Sequence, residues 1–423
     1  MPAPDRTVTA PDPFTLREAL GELRARGGGL RERSLDSRVA ALGRVLERLR
    51  DPAGAERREL EARLPEATGF AKETVRAGLA LALEGWTADA LRELVARELG
   101  GFHEQRRITG FPVTSVLLGG ALPMPTLLAL ATPLVLGSPV LARVSSHDPV
   151  TAVCFARALD HEDAQLAASL RIVSFPSDDG DAMSAFLSAD CVVAYGSDAT
   201  MRAVAARTTP RQRLLRHGHR ISVAVLGEDA EPDEAATAFA RDVALWDQQG
   251  CLSPVALYLL GHERVPEALL HRLGAAFVDA ANVLPPGRLP PEAAVAWTAE
   301  RETARVRAAA EGSVRLREGP GFVLVAEPDA AFRGSPLHRF IRIHPVRDRE
   351  ALLEALAPLA PHLTSVGWAG VDGEDAAALA AELPSLGVSR ICPLGHMQAP
   401  PLRWCHDQQG VLLPLARMSD VEG

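Results

Sequence analysis

"SVLLGGALPMPTLLALATPLVLGSPVLA", residues 115–142, decides the fold. The stretch has no charged residue and exceeds the length that spans a bilayer, so a single membrane helix is the first reading to test. Its breakers reject that reading. Gly119, Gly120, Pro123 and Pro125 interrupt the run after a strand-like start, and Gly137, Ser138 and Pro139 interrupt it again before a second strand. What remains is strand, turn, buried helix, strand, with each strand apolar throughout because a parallel sheet is covered on both faces.

Together with "VTSVLL" and "PVLARV", the runs "RIVSF", "DCVVAY" and "ISVAVL" alternate with helical segments, which predicts βαβ units and a doubly wound parallel sheet. Ligands of such a sheet lie at the carboxyl ends of its strands, where the loops "GGALP", "SSHDP" and "GSDAT" fall. Asp148 before Pro149, and Ser197, are expected to open helices whose N-termini aim backbone N–H groups into that crevice, a place that suits a dinucleotide phosphate. Upstream, residues 14–100 repeat apolar positions at three and four and form an all-helical front piece, with Ser34 and Thr87 as N-caps. After residue 251, "VALYLLG", "GFVLVAEP", "FIRIHPV", "LTSVGWAG" and "GVSRICPLG" alternate with helices as a second α/β unit, and the Pro-rich "LPPGRLPPEAAV" reads as a surface connection.

With 423 residues, 47% of them apolar and 23% charged, the chain has the makings of more than one globular core. Its net charge of −9 and interspersed arginines exclude a phosphate-backbone footprint, so nucleic acid is not an expected partner. The leading "MPAPDRTVTAPDP" lacks an apolar signal core and reads as a flexible cytoplasmic lead-in. Five cysteines without any Cys-x-x-Cys spacing disfavour both a disulfide framework and a zinc knuckle.

Among those cysteines, Cys154 in "TAVCFARAL" and Cys191 in "DCVVAY" sit in apolar runs and read as core. Cys251, in "WDQQGCLSP" (246–254), follows a polar stretch, and Gly250 frees the backbone for close approach. A reactive thiol there needs a neighbouring cation, a helix N-terminus or aligned N–H donors. The residues alone leave it open between a buried apolar thiol and a loop nucleophile.

"WDQQGCLSP" resembles the nucleophile segment of the LuxC-type acyl-CoA reductases, the fatty acid reductases, a branch of the aldehyde dehydrogenase superfamily. "TGFAKETVRAGLALALEGW", "SADCVVAYGSDATMRAVAART" followed by "HGHRISVAVLG", and "SRICPLGHMQAPPLRWCHD" are similar to other segments of that family in the same order. The resemblance covers about residues 60–420, and its specificity lies in the ordered set. It implies an aldehyde dehydrogenase-like α/β fold of two doubly wound domains with a helical N-terminal segment. The expected limits are a flexible N-terminus (1–13), a helical and dinucleotide-binding unit (14–225), a catalytic unit carrying Cys251 (226–388) and a C-terminal segment packing back on the cofactor unit (389–423).

The resemblance also implies a reaction. Cys251 attacks the thioester carbonyl of an acyl-CoA or acyl-protein, the leaving thiol departs, and hydride from a nicotinamide reduces the acyl-enzyme to an aldehyde. The backbone N–H at Cys251 is the first candidate to hold the oxyanion, with Gln248 or Gln249 as substitutes for a missing side-chain donor. That donor is missing because the family's Gly-Asn-Val-Pro turn is "GALP" here, with Ala121 in place of asparagine. Arg143 falls where the superfamily carries a lysine on the adenosine ribose, with Ser145 beside it. Ser146 falls where NAD-preferring members carry glutamate. A cation without a carboxylate suits a 2′-phosphate, so NADPH is the expected cofactor. Gly196 and Ser197 match the superfamily's Gly-Ser at the pyrophosphate. The superfamily's general-base glutamate is absent from its expected place, with Glu228 only near it in sequence.

His217 and His219 in "RHGHR" are acid–base candidates set against a solvated loop, and Arg390, His396, His406 and Asp407 near the C-terminus carry no assignable role. Two other functions compete: an aldehyde dehydrogenase running oxidatively, which needs a base to activate water, and a catalytically weak homologue acting as a scaffold for an acyl carrier or acyl-activating partner. The superfamily leads one to expect a homo-oligomer.

Overall fold

The computed structural model describes residues 7–100 and 106–420. Its first sheet has six parallel strands in the order Thr7–Thr9, Leu170–Ser174, Val140–Arg143, Thr114–Leu117, Cys191–Tyr195, Arg213–His217. From Thr114–Leu117 the chain first adds strands on one side and then, at Cys191–Tyr195, on the other. That reversal leaves a crevice at the carboxyl ends of the strands. Strand side chains alternate between two cores: Val116, Val140 and Ala142 face the helix Pro123–Val135 and the N-terminal helices, while Leu117 and Leu141 face the helices Pro13–Glu32 and Gly180–Phe186.

The apolar stretch 115–142 resolves into a strand, the buried helix Pro123–Val135 and a second strand. No helix among the described residues is long and apolar enough to cross a membrane. Ser34 and Thr87 cap their helices by accepting the N–H groups of Ser37 and Ala90, and Ser197 caps Asp198–Ala205 through Thr200 N. Asp148 works from further out: the helix starts at Thr151, and Asp148 Oδ1 accepts from both Val150 N and Thr151 N.

The second sheet has seven strands, in the order Arg315–Gly319, Phe322–Ala326, Phe340–Val346, Pro254–Leu260, Ile221–Leu226, Leu363–Ala369, Arg390–Pro393, with only the first antiparallel to its neighbour. Ile221–Leu226 pairs with Pro254–Leu260 and Leu363–Ala369, so the chain passes between sheets at residues 218–220, earlier than the expected limit at 225. Arg390–Pro393 likewise belongs to the second sheet and not to a separate tail. Beyond it the chain returns: Arg417–Asp420 pairs antiparallel with Arg106–Thr109, and the Glu98 carboxylate accepts from Val411 N, Leu412 N and Leu413 N.

Three elements depart from the sequence reading. Thr7–Thr9, expected within a flexible lead-in, adds an edge strand, as its β-branched residues favour; residues 1–6 lie outside the described residues. "RLLRH" is the edge strand Arg213–His217, half-exposed and therefore without an apolar signature. The connection after 285 runs into a helix, Pro291–Glu311, in which Ala304 is the one buried residue.

Candidate active site

Cys251 is reached through a turn that most residues avoid. The helix Pro232–Ala244 ends in Leu245–Gln248, where Trp246, Asp247 and Gln248 have φ of 56°, 46° and 63°. Left-handed backbone costs a non-glycine residue about 1–2 kcal/mol, so three in a row need clamps. Trp246 is buried against Phe70, ring centroids 5.4 Å apart, and fills the space over Gly78. Asp247 Oδ1 accepts from Arg339 Nε (2.9 Å) and Nη2 (2.6 Å), and Oδ2 accepts from Gly287 N. Gln248 donates to Pro254 O and Phe340 O and accepts from Phe340 N, so its amide is held by backbone and does not reach the thiol.

The loop that follows is fixed on both sides. Ser222 Oγ donates to Cys251 O at 2.6 Å, and Ser253 Oγ accepts from Gln398 Nε2. A side chain at Gly250 would crowd Leu122 and Gln398, which brings the nucleophile segment against the residue after Ala121. Cys154 and Cys191 are buried, and burial pushes both thiols up to about 12. Cys251 is half-buried and lines a cavity of about 120 Å³ with Leu122, Met124, Leu128, Trp246, Leu402 and Val411. Its walls are mainly apolar.

The polar end of that cavity is built by residues far apart in the chain. Tyr195 and His217 end adjacent strands of the first sheet and stack at 4.4 Å. His217 Nδ1 lies 2.9 Å from Asp407 Oδ2, and Arg220 Nε donates to Asp407 Oδ1 at 2.5 Å. The His406 ring stands edge-on to both His217 (4.9 Å) and Trp404 (4.7 Å) and lines the same cavity as Cys251. Burial pulls both imidazoles toward the neutral form, yet they diverge. His217 is driven below its ordinary value by burial and by the nearby His406 and Arg220 charges. His406 is raised to about 9 because Asp407 and Cys251 outweigh its burial. Burial works to raise Asp407, but His217, His406 and Arg220 together hold its carboxyl far below the usual range. The ligand-capable atoms of His217, His406 and Asp407 lie within 4.8 Å of one another, and Arg220 balances the carboxylate, so the set forms an ion-pair network.

At the crevice, Arg143 ends its strand with Nε and Nη2 donating to Phe175 O and the guanidinium 5.0 Å from the Phe175 ring centre. Ser146 is exposed beside it. Ser145 is buried and donates to Gly120 O, bracing the two crevice loops against each other, so it shapes the site and is not offered to a ligand. Gly120, at φ 77°, opens onto free space, and Gly196 packs where a Cβ would meet Thr200 at 3.0 Å. A cation without a facing carboxylate, an exposed hydroxyl and a glycine-lined helix start fit a phosphorylated dinucleotide.

Sequence reasoning weighed His217 against a loop and missed its strand. It gave His406 and Asp407 no role, and did not consider Tyr195, Arg220 or Gln398. His219 lies apart, its N–H donating to Asp198, and Arg390 anchors the backbone of the C-terminal segment by donating to Met397 O, His396 O and Ala399 O. Glu228 follows the far end of Ile221–Leu226, whose start touches Cys251, so about 3.3 Å per residue separates it from the thiol by roughly 20 Å.

Comparison with known proteins agrees with this geometry. The chain is 24% identical over 241 residues to the long-chain acyl-protein thioester reductase of Aliivibrio fischeri, covering 56% of this chain and 49% of that protein. It is 28% identical over 200 residues to the long-chain acyl-protein thioester reductase of Photorhabdus luminescens, covering 43% and 42%. The matched region thus spans about half the length of these relatives or less. Among solved structures, an NAD-dependent benzaldehyde dehydrogenase from Corynebacterium glutamicum superposes with a TM-score of 0.72 at 14% identity, covering 98% of this chain and 91% of that one. An NADP-dependent glyceraldehyde-3-phosphate dehydrogenase from Bacillus halodurans C-125, complexed with NADP, gives 0.71 at 12% identity, covering 98% and 92%. The fold is therefore that of the aldehyde dehydrogenases. Because the match to the acyl-CoA reductase (LuxC) family runs over residues 30–420, the chain belongs to that family.

Proposed function

We propose that this chain reduces an acyl thioester to an aldehyde through an acyl group carried on Cys251. One observation carries the reading: Cys251 stands where a mainly apolar cavity meets the carboxyl ends of the first sheet, beside Tyr195 and His217. An acyl tail lies in the cavity and the thioester carbonyl lies at the sulfur. Cys251 Sγ bonds to the carbonyl carbon, the bond to the departing thiol breaks, and a thioester remains on the enzyme. The backbone N–H of Cys251 is the oxyanion donor we favour, with Gln249 as the remaining side-chain candidate because Gln248 is bonded to backbone.

Arg143, Ser146, Gly196 and Ser197 would hold NADPH, with Ser145 supporting their loop; when bound, this cofactor supplies the hydride that reduces the acyl carbon. The substrate is an acyl-CoA or an acyl-protein thioester, delivered in the second case by an acyl-carrying partner. The oxidative alternative is disfavoured because Glu228, the carboxylate closest in sequence to a general base, is far from the thiol.

The test is intact mass after mixing with acyl-CoA in the absence of reductant, followed by NADPH. An acyl adduct that is absent in Cys251→Ala and discharges as aldehyde supports the reading. An unmodified native chain, or an adduct that survives in Cys251→Ala, overturns it.

A further inference from the structure

We propose that His406 is the proton carrier for Cys251, oriented by Asp407, which His217 and Arg220 in turn hold in place. The inference rests on the reading of Cys251 as the acyl-bearing nucleophile and adds the group that works with it.

Geometry supports the assignment from three sides. The His406 ring is fixed between Trp404 and His217, both edge-on, and Trp404 is itself tied down by donating from Nε1 to Ser389 Oγ. Its Nδ1 is 3.0 Å from Asp407 Oδ2, at ion-pair distance, but is not aligned for a hydrogen bond to it. Asp407 steadies the charge without fastening the proton. The carboxylate cannot swing away, because His217 and Arg220 grip its two oxygens separately. The backbone reinforces this placement: Asp407 and Gln408 both adopt left-handed φ, 55° and 59°, and Gln408 Nε2 anchors the turn by donating to Pro384 O. Strained turns persist where the surroundings over-determine them, and here they place the His406 imidazole in the cavity that Cys251 lines.

The titratable and charged groups that face His406 are Asp407 on its own turn, His217 from the first sheet and Cys251 from the nucleophile loop, with Arg220 and Tyr195 behind them. Two imidazoles with opposite tendencies divide the work. His217, neutral and bonded to Asp407, is a positioning residue, whereas His406, charged and lining the same cavity as Cys251, exchanges the proton. Before acylation the proton from Cys251 already rests on His406; Sγ, as thiolate, bonds to the acyl carbon, and that proton passes from His406 to the departing thiolate as its C–S bond breaks, leaving a neutral imidazole. The balance is one thioester and one thiol giving one acyl-enzyme and one free thiol, with no other reactant.

The experiment compares the native chain with His406→Asn, His406→Gln and Asp407→Asn in two assays. One is acylation by acyl-CoA without reductant. The other is alkylation of Cys251 by iodoacetamide as a function of pH, read by peptide mass so that the exposed Cys405 is counted separately. The native thiol is expected to alkylate at a rate that changes little through neutral pH, because His406 holds the proton that the sulfur gives up. In both His406 variants the rate should instead climb through the ordinary thiol range near pH 8.5, and acylation should slow about 10²–10⁴-fold. Asp407→Asn should fall between. Alkylation profiles that coincide in native and variant chains overturn the proposal. A native chain that shows the shifted profile yet takes up no acyl group overturns the functional reading while leaving the Cys251–His406 pair standing, so the two failures are distinguishable.

Discussion

Arg339 holds Asp247 through two hydrogen bonds to one carboxylate oxygen, and both residues sit in left-handed turns. The turns, Trp246–Gln248 and Leu337–Arg339, lie on opposite sides of the pair, so one buried ion pair clamps both. Breaking such a pair strands a buried charge and costs about 3–5 kcal/mol. Arg339→Met is therefore expected to lower the thermal unfolding midpoint sharply. Arg339→Lys should not restore it, since an ammonium lacks the planar fork. Equal midpoints for native and Lys chains would refute the clamp.

Gly78 gives a test of opposite sign to helix propensity. An alanine inside a helix normally stabilises by about 1 kcal/mol over glycine. Here its Cβ would lie 2.2 Å from Trp246 Cζ2, inside a packed core. Overpacking of this kind costs about 1–3 kcal/mol, so Gly78→Ala should destabilise and, by shifting Trp246, slow alkylation of Cys251. Chemical denaturation and thiol kinetics measure the two effects.

Asp242 yields a pH dependence of stability. Fully buried, it accepts from Gly395 N and Met397 N, and burial raises its carboxyl to about 7 against those bonds and the nearby Arg241 and Arg390. The folded chain then binds a proton there between about pH 4 and 7 that the unfolded chain releases, so this residue's contribution to stability declines as pH rises through that window. Asp242→Asn cannot ionise. Its unfolding midpoint relative to the native chain should climb from about pH 4 to about pH 7 and level off beyond; a flat difference would show that Asp242 does not titrate in that range.

Cofactor choice follows from Ser146. Exposed beside Arg143 at the crevice, it is where a carboxylate would meet a 2′-phosphate. Ser146→Glu should reduce kcat/KM for NADPH by about tenfold or more and spare NADH. Steady-state rates with each nucleotide decide it.

Substrate length follows from Leu128, which lines the cavity from the helix Pro123–Val135. Leu128→Trp should lower kcat/KM for long-chain thioesters by about 10–200-fold relative to short ones, the scale on which apolar pockets discriminate. Loss of activity equal for every chain length would mean the tail lies elsewhere.

Both sheets were legible because their strands are buried on two faces and so stand out as unbroken apolar runs. The edge strand Arg213–His217 and the helix Pro291–Glu311 were not, since each buries too little to leave a pattern. Cys251 could be singled out from its polar, glycine-bearing loop. Its partners could not: Asp407 meets His217 and Arg220 across 190 and 187 residues, and no local periodicity encodes a contact made only when two sheets and a returning tail meet.

That returning tail has a consequence for biosynthesis. Residues 394–420 leave the ribosome after every strand of both sheets, yet they bring the carboxylate that joins His217 to Arg220. Domains settle in the order they are made, so the pocket's charges come together after the cores beneath them have closed. A nascent chain not yet carrying these residues would display the Cys251 sulfhydryl without its electrostatic escort.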